Sequence, residues 1–325
     1  MSANMSCAAD IFRALADPTR LRILALLRAM ELSVGELAQV LGQSQPRVSR
    51  HVRILIESGL AERRKEGSWV FLSLGGKART EKLFDLLDRW DELDGEDPWR
   101  VADAARLAAV RGDRAAAAER YFAAHADHWD EIRSLHIAES EVEAAIARAL
   151  DASEAGRPVG RLVDIGTGTG RMIELFGRDA EHALGIDRSP EMLRLARVKL
   201  AQAGLGADLR QGDMYTLPLP AASADTVILH QVLHYAQQPA AAVAEAARLL
   251  APGGRLLIVD FAPHELEELR SRDAHARLGF SDEAMLKYLD EAGLDGRVVE
   301  RLEGGELTVT IWAGTRAEAR LKVVA

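Results

Sequence analysis

Apolar residues recur at helical spacing through the first part of the chain. Ile11 and Leu15 form one run; Leu21, Ile23, Leu24, Leu26 and Leu27 form another after a break at Asp17-Pro18. This spacing predicts amphipathic helices, and Asp17 is placed to cap a helix with Pro18 at its first position. A short helix is expected over 34–41, ended by Gly42, and another over 44–58, with Ser44 as N-cap and Pro46 in its first turn. In the latter, Val48, Val52 and Leu55 share one face, leaving Arg47, Ser49, Arg50 and Arg53 for the outer faces. Residues 60–74 then alternate as two strands around a tip containing Arg63, Arg64, Lys65 and Gly67. A helix over 81–93 carries an apolar stripe of Leu83, Leu86, Leu87 and Trp90, which suits a dimer contact.

Beyond the acidic break Asp94-Gly95-Glu96-Asp97-Pro98, residues 99–150 read as Ala/Arg/Glu-rich helices interrupted near Gly112. Tyr121, Phe122 and Trp129 are placed to cap a neighbouring ligand pocket. His125, His128 and His136 fit packing and surface roles better than a metal cluster, because no established ligand motif completes them. From residue 161 the period changes. Candidate strands at 161–164, 183–187, 207–211, 226–229 and 254–260 alternate with helices, which predicts a parallel sheet covered on both faces. The tail departs from this, since 298–302, Gly304-Gly305 and 307–312 read as a hairpin. Three domains follow: 1–94, a helical connector over 95–158, and 159–325. The fold class is α/β plus a small α+β domain.

Charge sharpens the division. The net charge is −9, yet residues 1–78 hold 11 Lys and Arg against 7 Asp and Glu. A basic module on an acidic body predicts that one part meets a polyanion. Helix, turn, helix and basic hairpin together make a winged helix-turn-helix. In such a module Gln45, Arg47, Ser49, Arg50 and Arg53, with Ser44, would face a major groove, where Arg reads guanine and Gln reads adenine. Arg63, Arg64 and Lys65 would reach phosphates. The single cysteine, Cys7, excludes a disulfide framework within one chain. No apolar run reaches membrane-spanning length, so a cytoplasmic protein with no membrane partner is expected.

In the second half, chemistry gathers where strands end. Asp164 leads into Gly166, Thr167, Gly168 and Gly170; Asp187 ends the second strand; Asp213 and Met214 follow the third; His230 and Gln231 follow the fourth. Asp187 suits a ribose diol, and Asp213 an adenine amino group with Met214 against the ring. The glycines alternate rather than spacing as G-x-G-x-x-G, and the loop lacks a cation before Arg171, which disfavours a phosphate ligand. A zwitterionic amino-acid tail fits better. His230, His234 and Tyr235, just after the fourth strand, are candidates for a catalytic base, and each fits a packed wall equally well. His264 and His275 follow the fifth strand.

Roughly residues 8–93 resemble the ArsR/SmtB family of winged-helix repressors. The resemblance rests on Leu15-Ala16-Asp17-Pro18-Thr19-Arg20-Leu21-Arg22-Ile23-Leu24, on Glu36-Leu37-Ala38 and on Ser44-Gln45-Pro46-x-Val48-Ser49-x-His51. It implies a homodimer on a palindromic double-stranded operator, released by ligand. Ser33 and Gly35 stand where metal-sensing members carry cysteines, so no metal is expected there. Residues 159–325 resemble class I S-adenosylmethionine-dependent methyltransferases of the ubiquinone/menaquinone-biosynthesis type. Asp164-Ile165-Gly166-Thr167-Gly168-Thr169-Gly170, Gly185-Ile186-Asp187-x-Ser189-Pro190-x-Met192-Leu193, Gly212-Asp213-Met214 and Leu250-x-Pro252-Gly253-Gly254 carry it. It implies a Rossmann-like, mixed seven-stranded sheet with an antiparallel last strand. It also implies S-adenosylmethionine or S-adenosylhomocysteine as ligand, with Arg188 and Met192 joining the site. Two whole-chain readings result: a transcriptional regulator with an S-adenosyl effector, or an active small-molecule methyltransferase with an autoregulatory DNA-binding domain.

Overall fold

The computed structural model describes residues 2–66, 69–94, 97–125, 139–151, 158–303 and 306–318, and the chain divides into two compact units, 1–117 and 118–325. In the first unit, α1 (Ser2–Leu15) precedes α2 (Pro18–Ala29), which starts where the sequence predicts. Asp17 Oδ1 accepts from Thr19 N at 2.8 Å and Arg20 N at 3.2 Å, satisfying amides left free at the helix start. After β1 (Leu32–Ser33), α3 (Val34–Leu41) is closed by a capping box between Ser33 and Glu36 and by Gly42 in the left-handed region. Helix α4 (Gln45–Glu57) buries Val48, Val52 and Leu55, each worth about 1.5–3 kcal/mol of burial. Ser44 stands at its N-cap position but makes no side-chain cap bond, contrary to expectation. Strands β2 (Ala61–Glu66) and β3 (Trp69–Leu74) form the antiparallel wing, with β1 on the far side of β3.

Two expectations are corrected in the next helices. In α5 (Lys77–Asp94), Leu83 belongs to the core together with Phe84, and Leu87 packs against it, whereas Leu86 is exposed at 44%. The stripe is therefore split between core and solvent; the Trp90 side chain lies outside the described residues. Helix α6 (Pro98–His125) runs straight through Gly112, because its helix-favouring neighbours outweigh one glycine, which costs about 1 kcal/mol. Its first half joins the first unit's core through Leu107 and Val110. Asp103 binds Arg22 of α2 bidentately at 2.6 and 2.7 Å, Arg106 donates to Val40 O, and Arg111 donates to Ala29 O. The first unit thus extends past residue 94 to 117. Trp129, His128 and His136, and the side chains of Tyr121, Phe122 and His125, lie outside the described residues.

The second unit, from residue 118, includes α7 (Glu139–Asp151) and is built on a seven-stranded sheet in the order β6-β5-β4-β7-β8-β10-β9. Its strands are β4 (Gly160–Ile165), β5 (Ala180–Asp187), β6 (Asp208–Gln211), β7 (Ala224–His230), β8 (Leu250–Phe261), β9 (Leu294–Leu302) and β10 (Val309–Arg316). The first five are parallel, and β10 runs antiparallel to both β8 and β9, as expected. Between them lie α8 (Arg171–Phe176), α9 (Pro190–Gln202), α10 (Pro239–Leu249), α11 (Glu268–Arg272) and α12 (Asp282–Glu291). The central strands are apolar on both faces, as a doubly covered parallel sheet requires. Their carboxyl ends all open on one edge, where such sheets bind ligands.

Candidate functional sites

In the first unit, burial of one face of α4 leaves Gln45, Arg47, Ser49, Arg50 and Arg53 exposed together, with Ser44 at the helix start. His51 faces inward, its Nδ1 3.7 Å from the Asp17 cap. In the wing, strand alternation separates the three cations. Arg63 and Lys65 are exposed. Arg64, between them, donates to Glu31 at 2.8 Å and lies 5.4 Å from the Phe71 ring centroid. The sequence pattern did not distinguish Arg64 from its neighbours, because the partner Glu31 is 33 residues away.

In the second unit, the loop after β4 folds back on β5: Gly166 N and Thr167 N both donate to Ile186 O, at 2.7 and 3.0 Å. Gly166, Gly168 and Gly170 all have positive φ, a conformation natural to glycine alone. A Cβ on Gly166 would fall 2.4 Å from Val232 Cγ2, so the loop also lies directly on the turn after β7. Thr167 donates to Asp164 Oδ2 at 2.6 Å. Asp187 Oδ2 accepts from Gly168 N and its Oδ1 from Ser189 N, both at 2.8 Å. The acids ending β4 and β5 are thereby tied to one loop. Burial pushes the Asp187 carboxyl pKa up, while the N–H groups of Ser189, Gly168 and Arg188 pull it down.

The remaining predicted residues divide. Asp213 is exposed on the edge, accepting from Tyr215 N at 3.1 Å, with Met214 half-buried against the core behind it. Arg188 is exposed and its carbonyl receives Gln211 Nε2. Met192 contributes its backbone N–H to the Ser189 cap of α9, and its side chain is core. His230 closes β7, nearly buried, and Gln231 follows in the left-handed region at φ 49°. Tyr235 is half-buried beside the fully covered His234.

Several polar groups at this edge were not anticipated. The Asp260 carboxylate binds the His234 ring, Nδ1 to Oδ1 at 2.8 Å. The Tyr215 hydroxyl accepts from Gln237 N and Gln238 N, and burial raises its pKa. Arg171 binds Glu143 of α7 through two nitrogens, at 2.6 and 2.9 Å, and Glu174 at 2.7 Å. Those partners hold its pKa above the usual guanidinium range. Asp260 had a legible signal: it ends an apolar strand run, as Asp164 and Asp187 do.

Together these features define two classes in one chain, a winged helix-turn-helix module and a methyltransferase-type α/β domain. Each half is similar to a known family. Residues 17–63 match the arsR family of bacterial regulatory proteins, and residues 163–258 match the methyltransferase domain family. The first is 51% identical over 66 residues to the arsenical resistance operon repressor of Escherichia coli, covering 20% of this chain and 56% of the repressor. The second is 35% identical over 156 residues to the demethylmenaquinone methyltransferase of Deinococcus radiodurans, covering 46% of this chain and 63% of that enzyme. The chain thus spans less than two thirds of either relative. A chain of the complex between a Haloferax volcanii methyltransferase activator and a methyltransferase shares the fold. It has a TM-score of 0.50 and 19% identity, covering 62% of this chain and 98% of that one. Among the described residues, no helix is long and apolar enough to cross a membrane.

Proposed function

We propose that this protein is a DNA-binding transcriptional regulator, a dimeric repressor, whose methyltransferase-type domain binds S-adenosylmethionine or S-adenosylhomocysteine as effector. The carrying observation is the pairing of two prepared surfaces on one chain. One is the exposed Arg47, Arg50 and Arg53 face of α4; the other is the glycine loop held between Asp164 and Asp187. The S-adenosyl ligand suits this loop. Its ribose hydroxyls donate to Asp187, its ammonium faces Asp164 and the loop carbonyls, and its adenine meets Asp213 and Met214. Gly166, Thr167, Gly168 and Gly170 form the floor, Arg188 and Met192 support the ribose side, and His230 and Gln231 border the sulfonium.

On DNA, α4 enters the major groove with Gln45, Arg47, Ser49 and Arg50 towards base edges, while Ser44 and Arg53 hold phosphates. Arg63 and Lys65 of the wing reach further phosphates. A two-fold dimer requires a palindromic operator with half-sites one helical turn apart. Selection of bound duplexes from random sequence tests this, and an unordered pool of recovered sequences would contradict it. Arg47→Ala or Arg50→Ala lowers affinity for the selected operator by about 1–3 kcal/mol for each guanine no longer read. Affinity for unrelated DNA changes less.

A further inference from the structure

A line of polar contacts leads from Asp187 through the glycine loop to α7. Asp187 Oδ2 accepts from Gly168 N at 2.8 Å, and Gly170 N donates to Thr167 O at 2.8 Å. Arg171 follows Gly170 directly and opens α8. Its guanidinium binds Glu143 of α7 through Nε at 2.6 Å and Nη2 at 2.9 Å, and its Nη1 binds Glu174 of its own helix at 2.7 Å. The Glu143 side chain is 16% exposed and that of Arg171 32%, so solvent screens the pair only in part. A planar fork on a carboxylate fixes angle as well as distance, and a small shift of the loop's exit would break one of its two bonds.

Docking of α7 does not need this pair. Val142, Ala145, Ile146, Ala149 and Leu150 are buried in a core shared with Leu162 and Met172. Arg255 Nη1 also donates to Leu150 O at 2.6 Å, near the helix's far end. What the pair adds is a tie between one point of the loop and the first half of α7. In chain order, α7 stands between the first unit and β4, the strand that leads into the loop.

We propose that the Arg171–Glu143 pair is the regulatory tie of the S-adenosyl site: it passes ligand occupancy of the glycine loop into α7, and by the chain before α7 to the winged helix. The proposal rests on the effector reading given above and deepens it by naming the residues that transmit. A ribose diol donating to Asp187 loads the carboxylate that already holds Gly168 N. The loop has little slack to absorb this, because Gly166 N and Thr167 N are both bonded to Ile186 O. The adjustment therefore falls on Gly168 to Arg171, and the fork hands it to Glu143. Coupling of this kind is carried by ion-pair and hydrogen-bond networks joined to rigid elements. It acts only as far as the ligand favours one arrangement of the pair over the other, since equal affinity for both shifts nothing.

The test compares the full chain with Glu143→Gln and Glu174→Gln. Each variant removes one charge from the same guanidinium, but only the first loosens the tie to α7. Affinity for the selected operator is measured alone, with saturating S-adenosylmethionine and with saturating S-adenosylhomocysteine; ligand affinity is measured with and without operator. In the wild type at least one ligand should shift operator affinity about 5-fold or more, and operator should shift that ligand's affinity equally. Glu143→Gln should reduce both shifts to below about 2-fold, with operator affinity in the absence of ligand, and ligand affinity in the absence of operator, near wild type. Glu174→Gln should keep the full shifts. Should Glu143→Gln fail to fold, Arg171→Lys, which keeps the charge but loses the fork, is expected to weaken the shifts in the same way. Full shifts in the folded Glu143 or Arg171 variant would overturn the tie, as would equal loss in the Glu143 and Glu174 variants. A wild type that binds both ligands with no shift would overturn the effector reading, and the tie with it. A chain that binds neither ligand would overturn the reading of the loop itself.

Discussion

Asp187 shows how one carboxylate can link ligand and pH. Burial raises its pKa in the free protein, so the folded chain binds a proton there more readily than the unfolded chain. Its contribution to stability is fully present below the unfolded carboxylate pKa and is lost as pH rises through the folded one. A ribose diol donating to the ionised form acts oppositely. S-adenosyl affinity should be full above the raised pKa and fall as pH drops through it. Asp187→Asn should remove that dependence and weaken binding roughly 10- to 100-fold, since a hydrogen bond to a charged group is worth about 1.5–3 kcal/mol. Calorimetric titration across the acid range checks both, and a flat wild-type profile would count against the assignment. The wing offers a second residue-scale prediction. Arg63→Ala or Lys65→Ala should reduce the slope of log affinity against log salt by about 0.9 for each phosphate released. Arg64→Ala should leave the slope near wild type, because Arg64 is paired with Glu31. That distinction was invisible in the sequence, where Arg63, Arg64 and Lys65 read as one basic tip. By contrast Asp17, Asp164 and Asp187 were legible, because a cap and a strand-end acid are local patterns.

Helices and strands followed the hydrophobic period closely where packing was local. The α2 cap, α3, α4, the wing and the five parallel strands all lie where alternation and punctuation put them. The misjudged element was α6. Gly112 looks like a break, but no local rule reveals that Asp103, Leu107 and Val110 dock onto α2 and its neighbours. That docking fixes the first unit's boundary, and it is tertiary rather than periodic. The Arg22–Asp103 pair is nearly buried, with side chains 13% and 6% exposed, so removing one partner strands a charge. Asp103→Ala should destabilise the first unit by about 3 kcal/mol or more. Denaturant unfolding reads this as a lower midpoint for the unit. Asp88→Ala breaks the exposed Arg28–Asp88 pair and should leave the midpoint nearly unchanged. Equal shifts in the two variants would refute the anchoring role of Asp103.

At the scale of the whole molecule, the charge asymmetry and the two motif sets made the division into a winged-helix and a methyltransferase-type half legible. The His234–Asp260 pair was only half visible, since its members are 26 residues apart on adjacent segments and meet only when β7 and β8 align. Arg171 is a comparable case. It begins α8 beside the glycine loop and holds Glu143 of α7, so loop and preceding helix are bound in one network. Fusion matters for function only if ligand binds the two DNA-affinity states unequally, and the coupling must then be reciprocal. The most direct test is the affinity of the full chain for its selected operator, measured by fluorescence anisotropy at fixed salt. The titration is done without ligand, with saturating S-adenosylmethionine and with saturating S-adenosylhomocysteine. The account predicts a change of about 5-fold or more with at least one of them. It further predicts that Asp187→Asn moves that change to correspondingly higher ligand concentration. Identical operator affinities in all three conditions, with both ligands shown to be bound, would contradict it.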